Sequence, residues 1–144
     1  MVGESQARPE IQATLTEFEL TRAAVPETVT VFRHRAATFA AEQGADPDLT
    51  SNIALAVSEA TTNAIKYAYG PDGEGDVEMS ASSQDGRLTL LILDRGKGFE
   101  HGPSDGLGLG LTIIARLCHE LKIVQEGAGT QVLMHFFLPP EEPS

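Results

Sequence analysis

The sequence predicts an α/β protein, a two-layer sandwich in which a mixed, mostly antiparallel sheet is covered on one face by three helices. Three segments repeat apolar residues at helical spacing, and two pairs of strand-like segments are each joined by a short turn containing glycine. Hairpin strands pair antiparallel, and the helices can bury their apolar sides on one face of such a sheet. This order argues against a doubly wound parallel sheet.

The first half of the chain is expected to contain one strand and two helices. Residues 16–24 alternate loosely and predict an edge strand. An apolar helical repeat that begins with a proline predicts a helix at 26–44. A second helix is predicted at 46–67, where an Asp-Pro pair suits its start and the glycine-rich loop 70–75 ends it.

The second half is expected to contain two hairpins separated by a helix. In the first hairpin, Asp85-Gly86 is a strong turn pattern between two apolar runs. A glycine-rich stretch then leads into an amphipathic helix in which the thiol of Cys118 is interpreted as packed. The expected elements are strands at 77–82 and 87–93, a helix at 109–121, and strands at 122–125 and 131–138.

Composition limits the possible functions. The 144 residues suit one domain, with a flexible arm predicted at 1–15, the folded domain at 16–138 and a loose tail at 139–144. A net charge of −11 argues against nucleic-acid binding through a broad basic face. One cysteine excludes an intrachain disulfide. No apolar run reaches the roughly 18 residues of a membrane span, and no apolar signal core is present, so a cytoplasmic protein is expected.

The second predicted helix carries polar residues that could perform chemistry. Glu59, Asn63 and Tyr67 are four residues apart and therefore share one face, with Lys66 beside it. An amide oxygen can bind a hard cation such as Mg²⁺, and a carboxylate one turn earlier can orient or deprotonate a hydroxyl. A solvated polar face would show the same spacing.

A second group of candidate residues follows the predicted strand at 87–93. Asp94 ends a strongly apolar run and precedes Gly96 and Gly98. A carboxylate held at a buried strand end can accept a hydrogen bond from an exocyclic amine such as that of adenine. The two glycines would let the backbone approach a ring closely. A simple turn from a strand into a loop would show the same sequence pattern.

Three alternating glycines, Gly106, Gly108 and Gly110, lead directly into the third predicted helix. Glycine backbone N–H groups next to a helix N-terminus can hold phosphate oxygens. The segment matches neither the dinucleotide fingerprint nor the P-loop pattern. The pair Gly129-Thr130 opens the last strand and could place a hydroxyl near a base, although such a pair is most often a turn.

Together and in this order, the four groups resemble the GHKL superfamily of ATPases, which includes gyrase B subunits, MutL, histidine kinases and the ninety-kilodalton heat-shock chaperone. Glu59 and Asn63 match its N box, and the two glycine segments and Gly129-Thr130 match its later boxes. Residues 56–65 are most similar to the same helix in the small bacterial anti-sigma-factor serine/threonine kinases. The likeness covers roughly residues 16–138.

The resemblance implies a role for each matching residue. Asp94 would bind the adenine amine, Asn63 would hold Mg²⁺ against the phosphates, and Glu59 would be the catalytic carboxylate. Backbone N–H groups from Gly108 to Leu111 would hold the phosphates. The full set implied to bind ATP is Asn63, Lys66, Tyr67, Asp94, Gly96, Gly98, Gly106, Gly108, Leu109, Gly110, Leu111 and Thr130.

The resemblance also implies partners. Members of this family bind a sigma factor and phosphorylate a STAS-domain anti-anti-sigma protein, and homodimers are expected. Two departures matter: Tyr67 stands where a histidine is common, and the segment 99–105 between the glycine boxes is very short. A short lid affects phosphoryl transfer more than ATP binding. The alternatives are therefore a switch kinase of STAS scaffolds without sigma binding and a non-catalytic ATP-binding module.

Overall fold

A computed structural model describes residues 16–69, 74–96, 105–126 and 129–140 of the chain. The predicted arm at 1–15 and the end of the tail at 141–144 lie outside these ranges. Within them, no helix is long and apolar enough to cross a membrane. The elements are β1 (Thr16–Ala23), α1 (Pro26–Glu42), α2 (Pro47–Asn63), a π-helical segment (Ala64–Tyr69), β2 (Asp76–Gln84), β3 (Arg87–Asp94), α3 (Asp105–Leu117), β4 (Glu120–Glu126) and β5 (Gly129–Phe137).

The five strands form one sheet in the order β1-β2-β3-β5-β4, and every neighbouring pair is antiparallel. β3 and β5 are neighbours in the sheet although α3 and β4 separate them in the sequence. The end of β3 therefore meets the start of β5, where Asp94 lies opposite Thr130. The predicted α/β sandwich with a mostly antiparallel sheet is confirmed.

One face of the sheet packs against the helices and forms the core. α1 contributes Phe32 and Phe39, which are 0% and 2% exposed, and α2 contributes small buried residues that let it lie close. Burying each large apolar side chain stabilises the fold by about 1.5–3 kcal/mol. The alternate residues of the strands point to the other face, and several of these are also buried: Ser80, Ser82, Thr89, Leu91 and Leu133.

Local chemistry explains why α2 begins, and why the first hairpin turns, where they were predicted. The Asp46 side chain caps α2 by accepting a hydrogen bond from the Leu49 N–H at 2.8 Å, and Pro47 occupies the first turn. Asp85 and Gly86 have φ of 54° and 81°, the pair of positive values that a type I′ hairpin turn requires.

Two predicted helix boundaries were wrong. α2 ends at Asn63, and the chain continues to Tyr69 as a π-helix instead of an α-helix that ends near residue 67. α3 spans Asp105–Leu117, about four residues earlier than the predicted 109–121, because the glycine-rich stretch belongs to the helix. After Leu117 the backbone joins the sheet, where the His119 N–H donates to the His135 carbonyl at 2.9 Å.

Cys118 therefore lies just after α3, not inside a longer helix. Its thiol is half-buried and donates to the Ile114 carbonyl at 3.2 Å, and burial raises the pKa of the thiol. A raised pKa leaves less of the nucleophilic thiolate at neutral pH. These contacts support the interpretation of Cys118 as a packed thiol.

Candidate active site

The Asp94 carboxylate sits at the end of β3 and is 6% exposed. Its Oδ1 accepts the Gly96 N–H at 3.0 Å, a turn that aspartate commonly makes with its own backbone. Burial raises the pKa of the Asp94 carboxyl, and backbone hydrogen bonds from Gly96 and Thr130 offset only part of that effect. The carboxylate is thus held in one orientation and is under-solvated, which suits it to accept a further hydrogen bond.

Thr130 faces the same side of the sheet as Asp94 because the two residues are paired in register. Its side chain is 3% exposed, and its hydroxyl has no hydrogen-bond partner in the described part of the chain. A buried hydroxyl without a partner costs about 1–3 kcal/mol. Such a group at the rim of a cavity is suited to a ligand or to an ordered water.

Gly129 brings the start of β5 against the end of β3. A Cβ at this position would lie 2.7 Å from the backbone oxygen of Asp94, closer than real Cβ contacts allow. Only glycine therefore permits this approach. The two strand ends form a cavity of about 340 Å³, which is within the range of small-molecule sites. It is lined by Leu93, Asp94, Arg95, Val124, Gly129, Thr130 and Gln131.

Glu59 and Asn63 project from α2 and are both half-buried. The helix backs onto the core through Ala56 and Ala60, which are at most 1% exposed. One turn of helix separates the carboxylate from the amide, as predicted. The Thr61 hydroxyl, on the buried side of the same helix, donates to the Val57 carbonyl at 2.7 Å.

Asn63 contacts the second glycine segment. A Cβ on Gly110 would lie 2.9 Å from the Asn63 Nδ2 and 3.0 Å from its Oδ1, so the amide packs directly on the backbone of α3. The Nδ2 is buried and has no hydrogen-bond partner among the described residues. The structure thus joins two of the predicted groups at Asn63 and Gly110, and two others at Asp94 and Thr130.

The fold also changes what the second glycine segment offers. An α-helix that begins at Asp105 leaves only the N–H groups of its first turn without internal partners. The N–H groups of Gly110 and Leu111 lie further along, where an α-helix uses them itself. The backbone N–H groups free of internal helix bonds are therefore those at about residues 105–108. The expected phosphate-binding set from Gly108 to Leu111 overlaps them at Gly108 and stays a prediction.

The other predicted site residues lie on the π-helical segment, on α3 or outside the described residues. Lys66 lies on the π-helical segment and is exposed, and Leu111 is half-buried against the core. Tyr67 lies beyond the α-helical repeat, so the four-residue spacing that was expected to stack it on Asn63 does not apply. Gly98 and the lid at 99–104 are outside the described residues, as are the side chains of Tyr67 and of positions 105–109.

Sequence reasoning missed Tyr69. Its hydroxyl donates to the Asp76 carbonyl at 2.7 Å and accepts the Arg95 N–H at 3.0 Å. The ring is half-buried and packs on the edge of the core. Tyr69 follows Asn63 by six residues, which is not a helical repeat, so nothing in the sequence pattern pointed to it.

The two-layer sandwich has the architecture of the GHKL class of ATPase domains, with a buried carboxylate at a strand end and, on the neighbouring helix, an amide Nδ2 that lacks a partner among the described residues. Comparison with known proteins agrees with this class. Residues 22–136 match the family of histidine kinase-like ATPase domains, and the chain belongs to that family. The resemblance drawn from the sequence is thereby confirmed.

Several named relatives are similar over most of their length. The serine-protein kinase RsbW of Bacillus licheniformis is 32% identical over 139 residues, which cover 85% of this chain and 86% of that one. The serine-protein kinase RsbW of Bacillus subtilis (strain 168) is 32% identical, covering 82% and 83%. The anti-sigma F factor of Shouchella clausii is 30% identical, covering 76% and 84%.

Solved structures show the same fold. The RsbU and RsbW domains of a Mycobacterium tuberculosis protein match with a TM-score of 0.67 and 24% identity, over 84% of this chain and 31% of that one. A blue-light activated histidine kinase of Erythrobacter litoralis matches with a TM-score of 0.56 and 28% identity, over 65% of this chain and 32% of that one.

Proposed function

We propose that this chain is a cytoplasmic anti-sigma factor with ATP-dependent protein serine/threonine kinase activity. It binds Mg·ATP, sequesters a sigma factor and phosphorylates a serine or threonine of a STAS-domain anti-anti-sigma protein. The names of its relatives, serine-protein kinase and anti-sigma factor, support this proposal. The site described above supports the nucleotide-binding part independently.

One observation carries the proposal. Buried side-chain atoms without partners occur at four places in the described chain, and two of them, in Asn63 and Thr130, are at the matched ATP-site positions. The other two are in Ser80 and Ser82 on β2, which lie on the face of the sheet that points away from the helices. Native proteins rarely leave such groups unpaired without a reason, and a bound ligand supplies one.

The residues at hand fit an adenine nucleotide and its cation. Asp94 would accept a hydrogen bond from the adenine amine, and Thr130 would support it directly or through water. Asn63 would help to hold Mg²⁺, whose other ligands come mainly from phosphate oxygens and water. When bound, Mg·ATP supplies the phosphoryl group and neutralises its charge. Glu59 would orient the acceptor hydroxyl and take its proton on the carboxylate.

Calorimetry tests the nucleotide site. Asp94→Asn should weaken Mg·ATP binding roughly ten- to a hundredfold, since a hydrogen bond between a charged and a neutral group is worth about 1.5–3 kcal/mol. Asp46→Asn is a matched control, because it removes the same charge while asparagine caps a helix as well as aspartate does. Equal affinity in wild type and folded Asp94→Asn would remove Asp94 from the site, and equal affinity for GTP would count against adenine recognition.

A single-turnover assay with a STAS partner tests the chemistry. Glu59→Gln should lower the rate of phosphoryl transfer by about 10²–10⁴-fold, which is the usual contribution of a positioned acid or base. It should leave ATP affinity nearly unchanged. Glu42→Gln, at the exposed end of α1, removes the same charge away from the site. Equal nonzero rates in wild type and Glu59→Gln would exclude the role given to Glu59.

Partner binding separates the alternatives. A pull-down with purified sigma factors should retain one of them in the presence of Mg·ATP. Transfer to a STAS protein without sigma binding would instead indicate a switch kinase. ATP binding without transfer would indicate a non-catalytic module. Light scattering of the purified chain tests the expected homodimer.

A further inference from the structure

The π-helical segment that follows α2 sets the position of Tyr69. This segment spans Ala64–Tyr69 and begins directly after Asn63. A π-helix carries more residues in each turn than an α-helix, and such insertions are frequent at functional sites. Here the wider turn lets the helix finish with the Tyr69 ring against the edge of the core.

Tyr69 connects two segments that are distant in sequence. Its hydroxyl donates to the carbonyl of Asp76, the first residue of β2, and accepts the N–H of Arg95, the first residue after β3. One hydroxyl thus satisfies two backbone groups that the β2–β3 ladder does not pair. The fit is close, since a Cβ on Gly75 would collide with the Tyr69 ring.

The Arg95 N–H lies inside the turn that orients Asp94. Asp94 precedes Arg95, and the next residue, Gly96, donates its N–H to the Asp94 Oδ1 at 3.0 Å. Fixing the Arg95 N–H at 3.0 Å from Tyr69 therefore fixes the middle of that turn. The Asp94 carboxylate is held by a turn whose central peptide is itself anchored by Tyr69.

We propose that Tyr69 is a positioning residue for recognition of the nucleotide base, acting through the Arg95–Gly96 backbone on the Asp94 carboxylate. This inference rests on the proposed function, because it assigns to Asp94 the exocyclic amine of a purine. Through the Arg95 N–H, Tyr69 contacts the part of the site at the end of β3, where Asp94 lies. Its loss should therefore weaken recognition of the base and leave the phosphoryl-transfer step unchanged at saturating nucleotide.

The test compares ATP with purine riboside 5′-triphosphate, which lacks the exocyclic amine. Tyr69→Phe keeps the ring and removes both hydrogen bonds. It should weaken ATP binding by about three- to tenfold, less than Asp94→Asn, because the carboxylate is kept and loses only part of its fixed orientation. Binding of the analogue should change by less than twofold, so the preference for ATP shrinks. The kcat at saturating ATP should stay at the wild-type value while KM rises.

Two further variants sharpen the test. Gly75→Ala should displace the Tyr69 ring and reduce the ATP preference in the same direction, which keeps the test available if Tyr69→Phe does not fold. Thr89→Val also removes a hydroxyl hydrogen bond, the one between the Thr89 hydroxyl and the His135 Nδ1 at 2.9 Å, and lies away from the cavity. It should leave both affinities unchanged.

Two results would overturn the inference. An unchanged preference for ATP over the analogue in folded Tyr69→Phe would show that Tyr69 acts only on stability. An equal loss of affinity for both nucleotides would show that it does not act through Asp94. Failure of the proposed function looks different, because wild type itself would then bind neither nucleotide or would not prefer ATP.

Discussion

Two buried threonines of the sheet allow a sharp comparison, since Thr130 and Thr89 are both 3% exposed but differ in their hydrogen bonds. The Thr130 hydroxyl has no partner within the described ranges, whereas the Thr89 hydroxyl pairs with the His135 Nδ1 at 2.9 Å. Valine has nearly the same shape as threonine and replaces the hydroxyl by a methyl group. The substitutions Thr130→Val and Thr89→Val should therefore have opposite effects on the free energy of unfolding.

The magnitudes follow from the cost of unpaired groups. Thr130→Val removes a buried hydroxyl whose desolvation costs about 1–3 kcal/mol, so it should stabilise the nucleotide-free protein by about 1 kcal/mol or more. The same change should weaken ATP binding by about two- to tenfold, because the ligand loses a partner. Thr89→Val should destabilise the protein by about 0.5–1.5 kcal/mol and leave ATP affinity unchanged.

Urea denaturation with and without Mg·ATP measures both effects. With a slope of about 1–3 kcal/mol per molar urea, a change of 1 kcal/mol moves the midpoint by roughly 0.3–1 M, which is easily measured. If both valine variants lose stability equally, the Thr130 hydroxyl is hydrogen-bonded in the free protein and is not kept for a ligand. If Thr130→Val binds ATP as wild type does, Thr130 is not part of the site.

Three further predictions concern other residues of the candidate site. Gly110→Ala should lower the free energy of unfolding by about 1 kcal/mol, even though alanine favours helix, because its Cβ meets the Asn63 amide; adding Asn63→Ala should remove that loss in a double-mutant cycle. Gly129→Ala should lower the free energy of unfolding, measured by urea denaturation, by about 1–3 kcal/mol. No second side-chain substitution should restore it, because the added Cβ meets the backbone oxygen of Asp94. For Asp94, whose pKa is raised on folding, the folded state holds the proton more tightly than the unfolded state. Its contribution to stability should therefore fall as pH rises from about 3.8 through the folded pKa, whereas ATP affinity should rise over the same window as the carboxylate ionises. Denaturation and calorimetry across that window check both trends, and Asp94→Asn should show neither.

The parts of the fold that the sequence predicted are those fixed by local chemistry. The Asp85-Gly86 turn and the Asp46 cap depend on residues within a few positions of each other, so their patterns are readable directly. The end of α2 and the start of α3 depend on packing between distant segments. Glycines favour loops by propensity, yet the helix begins at Asp105 and Gly110 packs on the Asn63 amide.

In the candidate site, too, some residues could be predicted from the sequence and one could not. The order of the motifs predicted Glu59, Asn63 and Asp94, and two hairpins in one sheet made it possible for Asp94 to meet Thr130. Tyr69 could not be predicted, because its role depends on the π-helical turn and on a contact with Arg95, 26 residues later. Periodicity describes regular helices and says nothing about residues placed by a change of helix type.

The helix that carries Glu59 and Asn63 is also a core element, and this has a consequence for genetics. Ala56 and Ala60 are at most 1% exposed, and no larger side chain fits there without lifting α2 from its neighbours. A screen for mutants that lose the proposed activity should therefore recover bulky substitutions at these alanines alongside changes in the polar residues. Second-site suppressors should separate the two kinds, because a smaller residue at a neighbouring core position can make room for a bulky side chain and cannot replace a lost polar group.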